Sequence, residues 1–271
     1  PTWEVARPKA LEAYRLGAGE RALSAKVAEL DSLEHQGWSF DSLAVLWGGV
    51  NRSRELVAAG TSERSSIPAA RAIEQTGLMV TMDLLGESVS SSAAAGAATN
   101  GYLEVMRKID EAGIGKNVSL KLTQLGLDID RATCVDNLRR ILDDATARQF
   151  FVRIDMENSP VTQVTLDVFE TLWAQGYRNL GVVLQSALHR SEQDVRRVNA
   201  LGARVRLVKG AYKEPPSVAF QQKAEVDDAY LRLMRVLLDE GTYPAIATHD
   251  VALIEAAKAH ARARGLGQDA F

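Results

Sequence analysis

The chain of 271 residues is 46% hydrophobic and 25% charged with a formal net charge of −3, enough apolar material for one substantial core and no basic field for a nucleic-acid backbone. No run approaches the roughly 18 apolar residues of a membrane-spanning helix, and a single cysteine, Cys134, excludes an internal disulfide and a thiolate metal cluster. A reducing cytosol is the expected setting. The opening Pro1-Thr2-Trp3-Glu4 lacks the charged-then-apolar pattern of a secretory leader, and the missing initiator methionine points to a trimmed or excised chain.

Up to residue 76 the pattern predicts a helical arm. Ala10 to Leu16, Ala22 to Leu33, Asp41 to Trp47 and Arg52 to Ala59 read as helices broken at Gly17, Gly37 and Gly48-Gly49, with no strand pattern. From residue 77 to 271, apolar β-rich runs alternate with amphipathic stretches. The runs are Leu78 to Leu85, Val118 to Leu125, Phe150 to Met156, Leu180 to Leu184, Val205 to Val208 and Ala245 to Thr248. The helices between and after them are Ala93 to Ala112, Ala132 to Ala147, Val164 to Ala174, Glu192 to Leu201, Ala224 to Glu240 and Ala252 to Arg264. Strands read as apolar on both sides and joined by helices imply a parallel sheet covered by helices, either a (β/α) barrel or an open doubly wound sheet.

The strand ends decide between them. Each run closes on polar residues: Asp83 and Glu87, Lys121 and Gln124, Asp155 and Glu157, Gln185, Lys209 and Tyr212, then His249 and Asp250. A barrel gathers all such ends on one rim, whereas an open sheet concentrates its ligand groups at one switch point. No G-x-G-x-x-G follows the first run, so a Rossmann domain has no support. The stretch Arg204-Val205-Arg206-Leu207-Val208-Lys209-Gly210-Ala211-Tyr212 places Arg206 where a side chain enters a core, and a buried guanidinium requires an anionic or polar counterpart. Gly210 then allows close approach of a backbone or ligand. Together they predict a phosphate- or cofactor-binding rim.

Val80-Thr81-Met82-Asp83-Leu84-Leu85-Gly86-Glu87, Val118-Ser119-Leu120-Lys121-Leu122, Ile154-Asp155-Met156-Glu157, Val183-Leu184-Gln185-Ser186, Arg206 to Tyr212 and Ala247-Thr248-His249-Asp250 stand in this order over Leu78 to Phe271. In these motifs the chain resembles the proline dehydrogenases, including the matching domain of bifunctional proline-utilisation flavoproteins. The resemblance implies a TIM-like (β/α)8 barrel that holds FAD and oxidises L-proline to 1-pyrroline-5-carboxylate, passing electrons to a quinone or another acceptor. It implies a cytosolic protein that meets the inner membrane through that acceptor. By the same resemblance Arg206 stabilises charge at the reactive edge of the flavin and Gln185 orients the ring. Asp155 is the acidic active-site residue and Lys121 faces the proline carboxylate. Met156, Lys209, Gly210 and Ala211 are cofactor contacts, while Thr248 and His249 serve the adenosine and diphosphate portion. Only about six βα units are visible, so the resemblance implies further strands and a final helix with paired arginines beyond Phe271. The expectation is a longer polypeptide of which this stretch alone lacks turnover.

Simpler roles stand beside these. Asp155 can be a strand-end cap or ion-pair partner, Lys121 can be neutralised by Asp83, and His249 can be a structural histidine. Tyr212 is either a packing aromatic or a wall of the substrate pocket. Glu157 and Glu87 read as solvated or paired rim charges. His35, His189, His249 and His260 lack metal spacing, so no metal is expected. The runs around Ser65-Ser66 and Ser88 to Ser92 read as loop or capping positions, and Pro215-Pro216 as an exposed loop. Two alternative functions remain: a barrel that keeps the ligand rim without turnover, and an aldolase-like barrel using Lys121 or Lys209 for a Schiff base.

Overall fold

A computed structural model describes residues 55–58, 63–267 and 269–271, with side chains from residue 67 onward. The helices expected at Ala10 to Leu16, Ala22 to Leu33 and Asp41 to Trp47 lie outside the described residues. Among the described residues seven parallel strands pair in sequence order: β1 Glu55–Ala58, β2 Met79–Asp83, β3 Asn117–Leu120, β4 Phe151–Ile154, β5 Leu180–Gln185, β6 Arg204–Val208 and β7 Ala245–Ile246. The helices α1 Glu63–Glu74, α2 Ser92–Ala112, α3 Arg131–Arg148, α4 Ser159–Ala174, α5 Ser191–Ala200, α6 Lys223–Glu240 and α7 Val251–Ala263 follow the strands one by one. The helix expected over Arg52 to Ala59 is therefore corrected: Glu55–Ala58 is a strand, registered Leu56 to Val80 and Val57 to Thr81. It lies before the boundary expected near residue 77. The other six βα units stand where the apolar runs place them.

The strands are not apolar on both faces, which corrects the reading behind the parallel sheet. Successive side chains alternate across a strand. One set, Val80 and Met82, Val118 and Leu120, Val152 and Ile154, Val182 and Leu184, Val205 and Leu207, is buried in the main apolar cluster. Helix residues such as Tyr102, Met106 and Ile109 on α2 and Leu138, Ile141 and Leu142 on α3 complete that layer. Each such side chain contributes about 1.5–3 kcal/mol. The alternate set is largely polar, Thr81 and Asp83, Ser119 and Lys121, Arg153 and Asp155, Gln185 and Arg206, with β5 the exception in contributing Gly181 and Val183.

That second face lines the inside of a curl. Arg206 on β6 donates from Nη2 to Thr81 Oγ1 on β2 at 3.2 Å and from Nη1 to Ser119 Oγ on β3 at 3.4 Å. In a flat sheet β2 and β6, four positions apart, would stand about 19 Å from one another, beyond the reach of an arginine. The floor of the curl is aromatic and cationic. Arg153 and Arg204 stack on Phe151 at 5.2 and 4.9 Å, and Arg204 also lies 4.7 Å from the Tyr243 ring. Gly181 makes room for this floor, since a Cβ there would stand 2.6 Å from Phe151 Cζ.

Three helix starts are capped by the side chain of their own N-cap residue. Ser91 accepts from Ala94 N, Asp130 from Thr133 N and Asp250 from Ala252 N, so within the Ser88 to Ser92 run Ser91 is a capping position. Pro215 and Pro216 are exposed, and α7 is an outer helix that buries Leu253, Ala257 and Ala261 along one face.

Candidate active site

The C-terminal ends of β2, β3, β4 and β6 bring two acids and two bases to one place. The burial of Asp83 raises its carboxyl above the usual range, and the nearby Lys121 and Arg206 cations pull it back. Asp155 behaves in the same way: burial raises its carboxyl, Arg206 opposes that, and the Asp83 charge raises it again. Both carboxyls are thus raised by burial and opposed by the Arg206 and Lys121 cations. Lys121 Nζ stands 3.8 Å from Asp83 Oδ2, the neutralisation expected for this lysine. Arg206 is 3% exposed.

Tyr102, which the sequence reading missed, holds Asp83 from behind. Its hydroxyl lies 3.0 Å from Asp83 Oδ1, 3.2 Å from the Leu84 carbonyl and 3.2 Å from Gln124 Oε1. Burial pushes the phenol well above its ordinary range, so it stays protonated. No sequence signal marks Tyr102, because it faces inward from the middle of α2 as any packing aromatic would.

Gln185 and Gly210 form the next part of the rim. Gln185 Nε2 donates to the Glu157 backbone carbonyl at 2.8 Å, and the Gln185 backbone carbonyl accepts from the Ser191 hydroxyl. Gly210 has φ +111°, and a Cβ there would stand 2.8 Å from Gln185 Oε1. The close approach expected at Gly210 is therefore toward Gln185. Gly210→Ala is expected to cost about 1–3 kcal/mol, because the backbone is left strained and Gln185 is pushed off Glu157. At about 2–4 °C per kcal/mol for a domain of this size, thermal melting measures it; an unchanged midpoint contradicts the contact.

The remaining candidates separate. Of the two readings left open for Glu157, solvated or paired, the solvated one is ruled out: the residue is buried and accepts from Thr123 N at 3.1 Å and from the Thr123 hydroxyl. Glu87 is exposed as expected, beside Tyr212. Tyr212 is 38% exposed, a rim residue and not a core aromatic; partial burial and the Glu87 carboxylate push its phenol up to about 12. Lys209 Nζ lies 2.5 Å from Asp227 Oδ1 and 2.9 Å from Asp250 Oδ2, so its ammonium is committed to carboxylates. Met156 is packed in the apolar cluster. Ala211 and His249 are exposed, and Thr248 Oγ1 accepts from Asp250 N at 3.1 Å to open α7. A groove of about 570 Å³ on the outside, between α2 and α3, is lined by Glu104, Arg107, Arg140 and Arg148 and shares none of these residues.

This arrangement can hold an anion, tune two carboxyls and keep one cation dry. The family model for proline dehydrogenase matches residues 66–271. Proline dehydrogenase 2 of Bacillus subtilis (strain 168) is 38% identical over 231 residues, covering 85% of this chain and 76% of its own length. The proline dehydrogenase of Deinococcus radiodurans is 38% identical over 221 residues, 80% of this chain and 71% of the relative. Among solved structures, proline utilization A from Bdellovibrio bacteriovorus inactivated by N-propargylglycine superposes with a TM-score of 0.70 at 25% identity. That match takes in 77% of this chain, which spans 27% of the larger protein.

Proposed function

The chain belongs to the proline dehydrogenase family, and on that premise we propose that it oxidises L-proline to 1-pyrroline-5-carboxylate with FAD, the first step of proline catabolism. The observation that carries this reading is Arg206, a permanent cation almost wholly buried inside the curl and facing the Asp83 and Asp155 carboxyls. The rim fits a flavin. Gly210 leaves exposed backbone beside Gln185, and Gln185 keeps one amide N–H beyond the one given to Glu157. Met156, Gln185 and Lys209 to Ala211 would hold the ring portion, Thr248 and His249 the adenosine diphosphate.

FAD, when bound, supplies the two-electron acceptor that takes hydride from the ring carbon beside the proline nitrogen. The chain's own residues prepare that transfer. Lys121 binds the substrate carboxylate, and Asp83 holds the lysine in place with Tyr102 behind it. Tyr212 closes over the ring. Asp155 accepts the proton that the ring nitrogen loses, so that the nitrogen lone pair forms the C=N bond as the hydride departs. Arg206 stabilises the negative charge that develops opposite it. Electrons then leave to a quinone or another acceptor. No helix among the described residues is long and apolar enough to cross a membrane, and we place the protein in the cytosol, meeting the membrane where a quinone is the acceptor.

The expected protein is yellow, releases free FAD on denaturation, and loses its visible flavin absorption when L-proline is added without oxygen. A folded sample that takes up no flavin when it is supplied overturns the cofactor. A flavin band that L-proline does not bleach overturns the substrate.

A further inference from the structure

We infer that Glu214 is a positioning residue for the active site: its carboxylate caps α4 from another loop and so holds Tyr212 over the rim beside Asp155. The inference rests on the proline reading given above. It starts from a missing cap. The first turn of a helix leaves backbone N–H groups without partners, and Asn158, at the N-cap of α4, makes no side-chain cap bond. Glu214, 55 residues further on, takes that place: Oε1 accepts from Ser159 N at 2.7 Å and Oε2 from Ser159 Oγ at 2.5 Å. A carboxylate at a helix N-terminus is also favoured by the helix dipole.

The consequence lies in what the contact joins. Residues 209–222 connect β6 to α6 and carry Tyr212. Their far end is docked on the turn after β5: His189 N donates to the Val218 carbonyl, Phe220 N to the Ala187 carbonyl, and the His189 and Phe220 rings meet edge to face at 4.5 Å. Their near end is fixed by Gly210 against Gln185. Between these points Ala211, Tyr212 and Lys213 are exposed. Glu214 ties this span past β5 to the β4–α4 corner, four residues beyond Asp155 in the chain. Pro215 favours an extended backbone at Glu214, which narrows the span's freedom further. Glu214 thus sets the distance from Tyr212 to the Asp155 end of the site without touching substrate itself.

The test uses the full-length protein. Glu214→Ala is expected to lower kcat/KM for L-proline by up to about 10²-fold, the scale of a small misplacement of a positioning group, with most of the loss in KM and kcat changed far less. The melting midpoint should fall by about 2–4 °C for the lost cap. Glu214→Gln, which keeps an acceptor for Ser159 N and a donor for Ser159 Oγ, should recover most of the KM. In a Tyr212→Ala background the KM effect of Glu214→Ala should vanish while the fall in melting persists, because a stability effect does not need Tyr212. An unchanged KM in Glu214→Ala, or an equal KM effect in both backgrounds, overturns the inference. Hydrogen exchange separates this from failure of the proline reading: unchanged protection of residues 210–220 in Glu214→Ala overturns the strap whatever the substrate.

Discussion

Arg206→Met is expected to slow proline-dependent flavin reduction by about 10²–10³-fold, the cost of losing one preorganised electrostatic donor. Met fills a similar volume, so the fold should survive. The variant leaves Thr81 and Ser119 without the guanidinium they face. It also removes the cation that opposes the raised pKa of both Asp83 and Asp155. Those carboxyls should then hold their protons to higher pH, and the acid limb of the pH–rate profile should move upward. Arg206→Lys keeps the charge but not the fork that spans β2 and β3, so it should recover only part of the rate. Stopped-flow reduction across pH decides it. A Met variant with wild-type rate and an unmoved acid limb removes Arg206 from the chemistry.

The polar partners of Arg206 also show what the sequence carried and what it concealed. Six strands were legible because each has an outward apolar set long enough to stand out from the helical pattern. β1 was not. Glu55-Leu56-Val57-Ala58 contains good helix formers, and pairing to β2 outweighed that local preference. The inward face was legible at one place, where Arg204-Val205-Arg206-Leu207 alternates charge with apolar residues. Thr81 and Ser119 do the same on β2 and β3, but short hydroxyl side chains do not break an apolar run to the eye.

In the site, Asp83, Lys121, Asp155 and Arg206 were readable as strand-end or strand-interior charges, and the fold brings them together. What could not be read depends on distance along the chain. Gln185 meets Glu157 through a backbone carbonyl 28 positions away, and Lys209 meets Asp250 across 41. Neither contact follows from a local pattern. For Glu157 the sequence left a solvated and a paired role open, because a glutamate after a strand is ordinarily solvated; here Thr123 supplies backbone and hydroxyl donors that make its burial tolerable. Glu214 had no local signal: Asn158-Ser159-Pro160 reads as a self-capping start of α4, and the missing Asn158 cap bond shows only in the structure.

Asp155→Asn is expected to melt higher than the wild type while losing about 10²–10⁴-fold in rate, the usual range for a general acid–base group. The sign follows from the direction of its pKa. Burial raises the Asp155 carboxyl above its ordinary value, so the folded state binds the proton more tightly than the unfolded chain. Stability therefore falls as pH rises from the unfolded pKa to the folded one, and the full cost of the ionised form is present above both. Asn cannot ionise and keeps the shape, so it removes that cost at neutral pH. The gain should shrink as pH falls through the folded pKa, where wild-type Asp155 is itself neutral. Asp83 moderates the effect: its charge is one of the causes that raise Asp155, so Asp155→Asn should let Asp83 ionise more readily. Thermal melting of both proteins from acid to neutral pH gives two curves that converge at the acid end. Parallel curves, or a variant that melts lower at neutral pH, would mean that the Arg206 cation outweighs burial and that Asp155 is held as a structural ion-pair partner instead of a strained base.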